Sequence, residues 1–244
     1  MQKLEFVYEL GSVEPIEIWG KLAFILEKKD DVNALTSYTE KIKWEKIPSE
    51  IKASSACAFN IESSDFYFHM ATGTNYKLAF LQIKIKKNLE KEWYKEWVDA
   101  LIQFNGFVHA WVVDYGYNYW QNAVDPVQYK FHNRSYAKLP MKHNGLPDPV
   151  GQIEIDTSNN PGLRDIRKGY IEAIGARIWF SEKFLTLINR TIEEIQDAYP
   201  CKIEKYNEDV YQLSASVGIF KDSSTEAEQR QLRTALYGST KQEE

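Results

Sequence analysis

A strand–helix–strand pattern between residues 76 and 113 limits the folds open to this chain more strongly than any other feature. Residues 76–85 and 107–113 have the apolar content of buried strands. Between them, large apolar residues recur at three- or four-residue steps, as on one face of a helix: Trp93, Trp97, Leu101 and Phe104. Asn88 is predicted to cap this helix and Asn105-Gly106 to end it. Such a helix must pack against the sheet that its flanking strands join.

Similar units are predicted at both ends of the chain. Residues 4–8 alternate as a strand, and Pro15 begins an amphipathic helix. Near the other end, residues 177–180 form a strand, Ser181 caps a helix, and two more strands follow in 202–217. Two or three strand–helix–strand units predict an α+β fold. In it, one or two mixed, mainly antiparallel sheets carry amphipathic helices packed on one face.

Residues 1–221 are predicted to form a single α+β domain, with 1–113 and 114–221 as alternative halves. Residues 222–244 are predicted to be a polar C-terminal tail with one helix near 225–236. The proline- and glycine-rich stretch 121–165 is predicted to be an irregular connection, interrupted by at most one short strand at 152–155. Long ordered connections of this kind are often functional.

Charge and composition narrow the function. The formal net charge is -5 and the pI about 5.6, whereas a general nucleic-acid binder needs clustered Lys and Arg. No run approaches the length of a membrane span, and the N-terminus lacks the apolar stretch of a secretory signal. Cys57 and Cys201 are expected to be reduced thiols. We therefore expect a cytoplasmic protein with no nucleic-acid or membrane partner; the sequence does not set its oligomeric state.

The segment 111–136 is unusually rich in aromatic residues with polar tips, interleaved with amides and carboxylates. Such a composition is typical of a recognition surface. The predicted partner-binding residues are Trp111, Asp114, Tyr115, Tyr117, Tyr119 and Trp120, with Asp125 as a charged contact. The alternative is that Tyr115, Tyr117 and Tyr119 alternate along a strand and cover the core.

No catalytic or metal site is predicted. The four histidines have no short mutual spacing, and His109 is expected to be a hydrogen-bonded core residue. No P-loop, dinucleotide fingerprint or nucleophile elbow is present. Asp148, Glu154 and Asp156 resemble the acidic set of metal-dependent nucleases, but Asp156 stands where such sites carry a lysine. The chain is expected not to be an enzyme and to bind no cofactor, with a metal-dependent hydrolase or nuclease as the alternative.

Three features together resemble bacterial immunity proteins of polymorphic toxin systems, in particular the α+β group encoded beside restriction-endonuclease-like toxins. They are the strand that leads through Gly11 and Pro15 into a helix with Trp19, the Trp-rich middle, and the block 175–180. The resemblance implies a non-catalytic cytoplasmic protein that binds one cognate toxin and blocks its active site or substrate path. A mildly acidic inhibitor would suit a basic nuclease. A small-molecule-binding module, with the same aromatics lining a pocket, is a further alternative.

Overall fold

The computed structural model describes residues 1–54, 58–87 and 92–238. The strands are β1 (Gln2–Glu9), β2 (Thr36–Ser37), β3 (Glu40–Lys41), β4 (Phe59–Glu62), β5 (Phe66–Gly73), β6 (Leu78–Ile85), β7 (Phe107–Asp114), β8 (Met141–His143), β9 (Ile153–Ile155), β10 (Asp165–Arg167), β11 (Tyr170–Glu172), β12 (Arg177–Ser181), β13 (Lys202–Lys205) and β14 (Val210–Ser214). The helices are α1 (Pro15–Lys28), α2 (Ile47–Ala53), α3 (Lys95–Leu101), α4 (Tyr115–Asn122), α5 (Pro126–Phe131), α6 (Glu182–Ile188), α7 (Ile192–Ala198) and α8 (Glu226–Tyr237). Short 3-10 turns lie at Trp44–Lys46, Thr74–Tyr76 and Ser223–Thr225.

Ten strands of the described residues form one sheet, in the order β13-β14-β12-β7-β1-β6-β5-β4-β2-β3, and each neighbouring pair is antiparallel. β1 lies between β6 and β7, with Phe6 opposite Leu81 on one side and Ala110 on the other. β14 separates β12 from β13 in the same way. The unit β6–α3–β7 and the unit from β12 to β13 thus each leave room for one antiparallel strand. The predicted α+β class with a mainly antiparallel sheet is confirmed.

The helices cover both faces of the sheet, whereas the sequence predicts one. Leu4, Phe6 and Tyr8 of β1 pack into a core with α1, α2 and α3, while Val7 belongs to a second core. That second core includes buried residues of α6, α7 and α8: Phe184, Ile195, Leu232, Ala235 and Leu236. The physical reason is that β7 is almost continuously apolar and buried, so each of its faces needs a covering layer.

Several local predictions are settled by the described residues. Strands lie where predicted at β6, β7, β9 and β12, and α8 lies within the predicted polar tail but packs on the second core. The connection 121–165 also holds α5 and β8, which were not predicted. Cys57 and the predicted cap Asn88 lie outside the described residues, and Cys201 is a free, half-buried thiol. Within the described part, no helix has the length and apolar character needed to cross a membrane.

Gly175 marks a close approach between the segment before β12 and the strand β7. A Cβ added at this position would overlap the carbonyl oxygen of Val112. We expect Gly175→Ala to lower the free energy of unfolding by about 1–3 kcal/mol, because backbone must move to admit the methyl group. Urea denaturation would measure the loss. The matched control is Gly20→Ala in α1, where nothing lies within 4 Å and a gain of roughly 0.5–1 kcal/mol is expected. Equal stability of the two variants would contradict the close approach.

Candidate functional site

The aromatic segment after β7 is a helix and not a continued strand. Asp114 is the N-cap of α4, and its Oδ1 accepts a hydrogen bond from the Tyr117 N–H at 2.8 Å. The Tyr115 N–H donates to the Met1 carbonyl at 2.9 Å, which ties the first turn of α4 to the start of β1. The strand alternative for Tyr115, Tyr117 and Tyr119 is therefore wrong, because the Asp cap converts the chain to helical geometry at the strand end.

The amide side chains of α4 serve the fold. Asn118 Nδ2 and Asn122 Nδ2 both donate to the Gly162 carbonyl, at 3.2 and 3.0 Å, and the Gly162 N–H donates to Gln121 Oε1 at 3.1 Å. Lys3 Nζ donates to Asn118 Oδ1 at 3.2 Å. These bonds attach α4 to the segment near Gly162 and to β1, so the amides are not available to a partner and the helix is held rigidly.

Trp111 is a buried core residue, whereas the sequence analysis predicts a partner contact at this position. Its side chain is 1% exposed, and its ring stacks on His109 at 4.9 Å. The reason is its position on β7, a strand that lies inside the sheet with helices on both sides. His109 is buried as predicted: its Nε2 accepts a hydrogen bond from the Ile171 N–H at 3.3 Å, and its ring also stacks on Phe184.

The four aromatic candidates on α4 are half-buried and point in different directions. The Tyr115 ring lies 4.7 Å from Lys84 Nζ, over the sheet face, while the Tyr117 hydroxyl accepts a hydrogen bond from Gln229 at 3.2 Å. Tyr119 and Trp120 contact each other at 4.9 Å and pack around the buried Tyr129. The sequence groups these four residues on one surface, but in the structure they make contacts with three different elements, β6, α8 and α5.

Tyr119 and Trp120 form the base of a small aromatic cluster below α5. Trp120 lies 4.7 Å from Tyr129 and 5.4 Å from His132, and the Arg134 guanidinium lies 4.4 Å from the Trp120 ring. Asp125, the predicted charged contact, is exposed and caps α5 by accepting the Val127 N–H at 2.8 Å. The cluster therefore fixes α5 on α4 and determines what α5 presents to solvent.

Exposed apolar side chains are concentrated in residues 124–153, which we call the extension. Eight of the thirteen large hydrophobic residues that are exposed in the described chain lie here: Val124, Val127, Phe131, Leu139, Met141, Leu146, Val150 and Ile153. Phe131 is 83% exposed and Val127 63%, and they lie one turn apart on α5. Exposed apolar patches mark interaction sites in monomeric proteins, so this concentration of exposed apolar side chains makes the extension the candidate interaction surface.

From β8 onward, the extension forms a hairpin with β9 outside the main sheet. β8 pairs with β9, with Met141 opposite Ile155 and His143 opposite Ile153. Asn144 fixes the turn: its Nδ2 donates to the Val150 carbonyl and its Oδ1 accepts the N–H groups of Leu146 and Gln152, all at 3.1–3.2 Å. The tip residues Leu146 and Val150 are thus held in an ordered loop while their side chains remain 52% and 58% exposed.

The sequence marks residues 121–165 as a long connection of a kind that is often functional, but its prolines and glycines indicate a loop and do not show which side chains are exposed. The signal that could have found the extension is the number of large apolar residues in a stretch with no helical or strand periodicity to bury them. The aromatic content of 111–136 points to residues that support this surface more than to those exposed on it.

A cavity of about 680 Å³ opens where α4, the extension and residues 221–223 meet. Three of the predicted residues line it, namely Asp114, Tyr117 and Trp120, together with Arg134, Asp156 and Lys221. Its size falls within the usual range for small-molecule sites. Under the small-molecule alternative, the ligand would bind in this cavity next to the extension.

The acidic residues of the nuclease alternative do not form a metal site. Lys142 Nζ lies 3.8 Å from Glu154 and 3.4 Å from Asp156, so both carboxylates face a lysine. Asp148 lies in the exposed turn of the hairpin. Among the described residues, no group of three or more His, Cys, Asp or Glu side chains is placed to hold a metal ion.

Beneath α4, Glu5 is completely buried in a cluster of charged groups. Its carboxylate lies 2.5 Å from Lys3 Nζ and 3.1 Å from Arg164 Nε, and it accepts a hydrogen bond from Gln82 at 2.9 Å. Burial alone would raise the pKa of Glu5, but the two neighbouring cations outweigh it and lower the pKa to about 2. The cluster joins β1, β6, α4 and the segment that leads into β10.

Comparison with known proteins shows the fold. No protein-family model and no curated protein sequence matches the chain. Among solved structures, it is similar to the Pseudomonas aeruginosa T6SS protein PA0821, with a TM-score of 0.55 and 10% sequence identity, over 97% of this chain and 72% of that chain. At this identity, the likeness shows a shared arrangement of strands and helices.

Proposed function

We propose that this chain is a non-catalytic, cytoplasmic immunity-type inhibitor that binds a cognate bacterial toxin through the extension. The observation that carries the proposal is the concentration of exposed apolar side chains in residues 124–153 on an ordered framework. The structural neighbour, a T6SS protein, supports a role connected with bacterial secretion. The resemblance to immunity proteins supplies the finer assignment.

The shape of the extension favours a protein partner over a small ligand. A small-molecule site encloses its ligand in a concave pocket, whereas these apolar side chains are spread over a helix and a hairpin that face solvent. Desolvated aromatic and aliphatic anchors at the centre of an interface supply most of its binding energy. Phe131 and Val127 are the anchors in this proposal, and Tyr119, Trp120 and Asp125 position them.

The test is binding of purified protein to toxins encoded next to its gene, with Val127→Ser/Phe131→Ser as the variant. We expect wild type to form a stoichiometric complex with one such toxin. The double variant should bind at least about 30-fold more weakly, because loss of an interface anchor costs roughly 2 kcal/mol or more. Isothermal titration calorimetry would measure the affinity. Thermal melting should be unchanged, because both side chains are solvent-exposed.

The control is Phe24→Ser on α1, an aromatic residue that is 58% exposed and lies outside the extension. It should bind toxin as wild type does. Equal affinity of wild type and the double variant would place the interface elsewhere. Failure of wild type to bind any adjacent toxin would contradict the proposed function itself.

A further inference from the structure

We infer that the surface contacted by the extension is acidic, an apolar patch bordered by carboxylates on a protein partner. This inference rests on the proposed function and specifies the chemistry of its partner. Within residues 124–140, three cations (Lys130, Arg134 and Lys138) stand beside one carboxylate (Asp125), for a local charge of +2, whereas the fourth cation of the extension, Lys142, is outnumbered in the hairpin by Asp148, Glu154 and Asp156. The chain as a whole carries -5. The part of the extension around α5 therefore has the opposite sign to the chain as a whole.

Three of the four cations are available to a partner. Lys130, Arg134 and Lys138 are exposed, and none has a carboxylate within 4.0 Å among the residues that the structure describes. Arg134 instead lies over the Trp120 ring. Lys142 is already paired with Glu154 and Asp156. Of the two carboxylates, Asp125 accepts the first N–H bond of α5. The charge that remains free to act outward is positive.

The cations also lie beside the apolar anchors. Lys130 directly precedes Phe131 on α5 and is three residues after Val127, so ammonium and phenyl groups share one short helix. Exposed charges at the edge of an interface act mainly by raising the association rate of a partner with complementary charge. At physiological ionic strength their field extends only about 8 Å, so a partner that docks on α5 responds mainly to the charges around α5. The net charge of the whole chain suggests a basic partner, whereas the charges around α5 suggest an acidic one.

A nucleic acid fits the extension less well than an acidic protein. Phosphate binders present rows of cations, whereas large apolar side chains outnumber cations two to one here. The chain as a whole is negative and would repel a long polyanion. A compact protein face meets only the local field.

The experiment compares Lys130→Glu/Lys138→Glu with Lys21→Glu/Lys52→Glu, two exposed lysines outside the extension, so that both variants change the net charge equally. The probe is the toxin that wild type binds. We expect the extension variant to associate at least about tenfold more slowly at low salt, with the difference disappearing at high salt. Dissociation should change little, and the control variant should associate as wild type does. Stopped-flow fluorescence would measure both rates.

An association rate that is unchanged or faster in the extension variant would overturn the acidic-partner inference. If Val127→Ser/Phe131→Ser still weakened the complex, the proposed function would stand without it. Salt-dependent binding of a DNA duplex that is lost in the extension variant, with no toxin complex, would overturn both and identify a nucleic-acid surface.

Discussion

Replacing Glu5 with alanine is expected to lower the free energy of unfolding by about 3–5 kcal/mol, because it leaves two cations buried without their anion. Glu5 is completely buried, the Lys3 side chain is 7% exposed and the Arg164 side chain 18%. Attraction between the charges offsets their desolvation only while all members are present. Removal of the carboxylate should also loosen α4, since Lys3 hydrogen-bonds to Asn118.

Urea denaturation would measure the effect, with Glu9→Ala as the control. Glu9 is on the same strand and pairs with Lys183 at 2.6 Å, but both side chains are largely exposed. Its loss should cost less than about 1 kcal/mol. A double variant, Glu5→Leu/Lys3→Met, should be destabilised by less than the sum of its single variants, because it removes both charges of the closest pair. If Glu5→Ala is as stable as Glu9→Ala, the charges of the cluster are not desolvated in solution.

Periodicity predicts this fold correctly where an apolar pattern in the sequence coincides with burial in the structure. β6 and β7 are continuous or alternating apolar runs, and Trp97 and Leu101 are buried on α3, so local pattern and burial coincide there. Periodicity could not show that helices cover both faces. That depends on β7 lying inside the sheet, and strand order is a property of the assembled sheet.

Of the predicted partner-binding residues, only Asp125 lies within the extension, and the other six precede it in the chain. Tyrosines at 115, 117 and 119 alternate as in a strand, and the cap at Asp114 decides for a helix. The role of Asn118 depends on Gly162, 44 residues away in sequence, which no local pattern records. In the sequence, nothing separates Phe131 from the other aromatic residues of the segment, and only its exposure distinguishes it from the buried Tyr129.

Acidification is expected to destabilise the protein from about pH 6.5 downward, and His109 is the main reason. Burial is the largest cause that lowers the pKa of His109, to about 3; Glu5 opposes the shift and Arg164 adds to it. The ring lies between Trp111 and Phe184, so no solvent stabilises the imidazolium. Between pH 6.5 and 3 the unfolded chain binds a proton at this position and the folded chain does not. Stability is complete above the unfolded pKa and is lost as the pH falls.

The expected slope from His109 alone is roughly tenfold in the unfolding equilibrium constant per pH unit. His69, whose pKa is lowered mainly by burial, adds to it, and below about pH 4.5 the depressed pKa of Glu5 adds a further loss. Denaturant unfolding at a series of pH values between 7 and 5 would measure the slope.

His109→Gln should flatten that slope, whatever its stability at neutral pH, because the position no longer titrates. Its amide oxygen can still accept the Ile171 N–H. The slope separates titration from packing: a lost stacking contact shifts the whole curve, whereas loss of a titrating group changes how steeply it falls. Identical slopes in wild type and His109→Gln would mean that the buried ring binds its proton in the folded state.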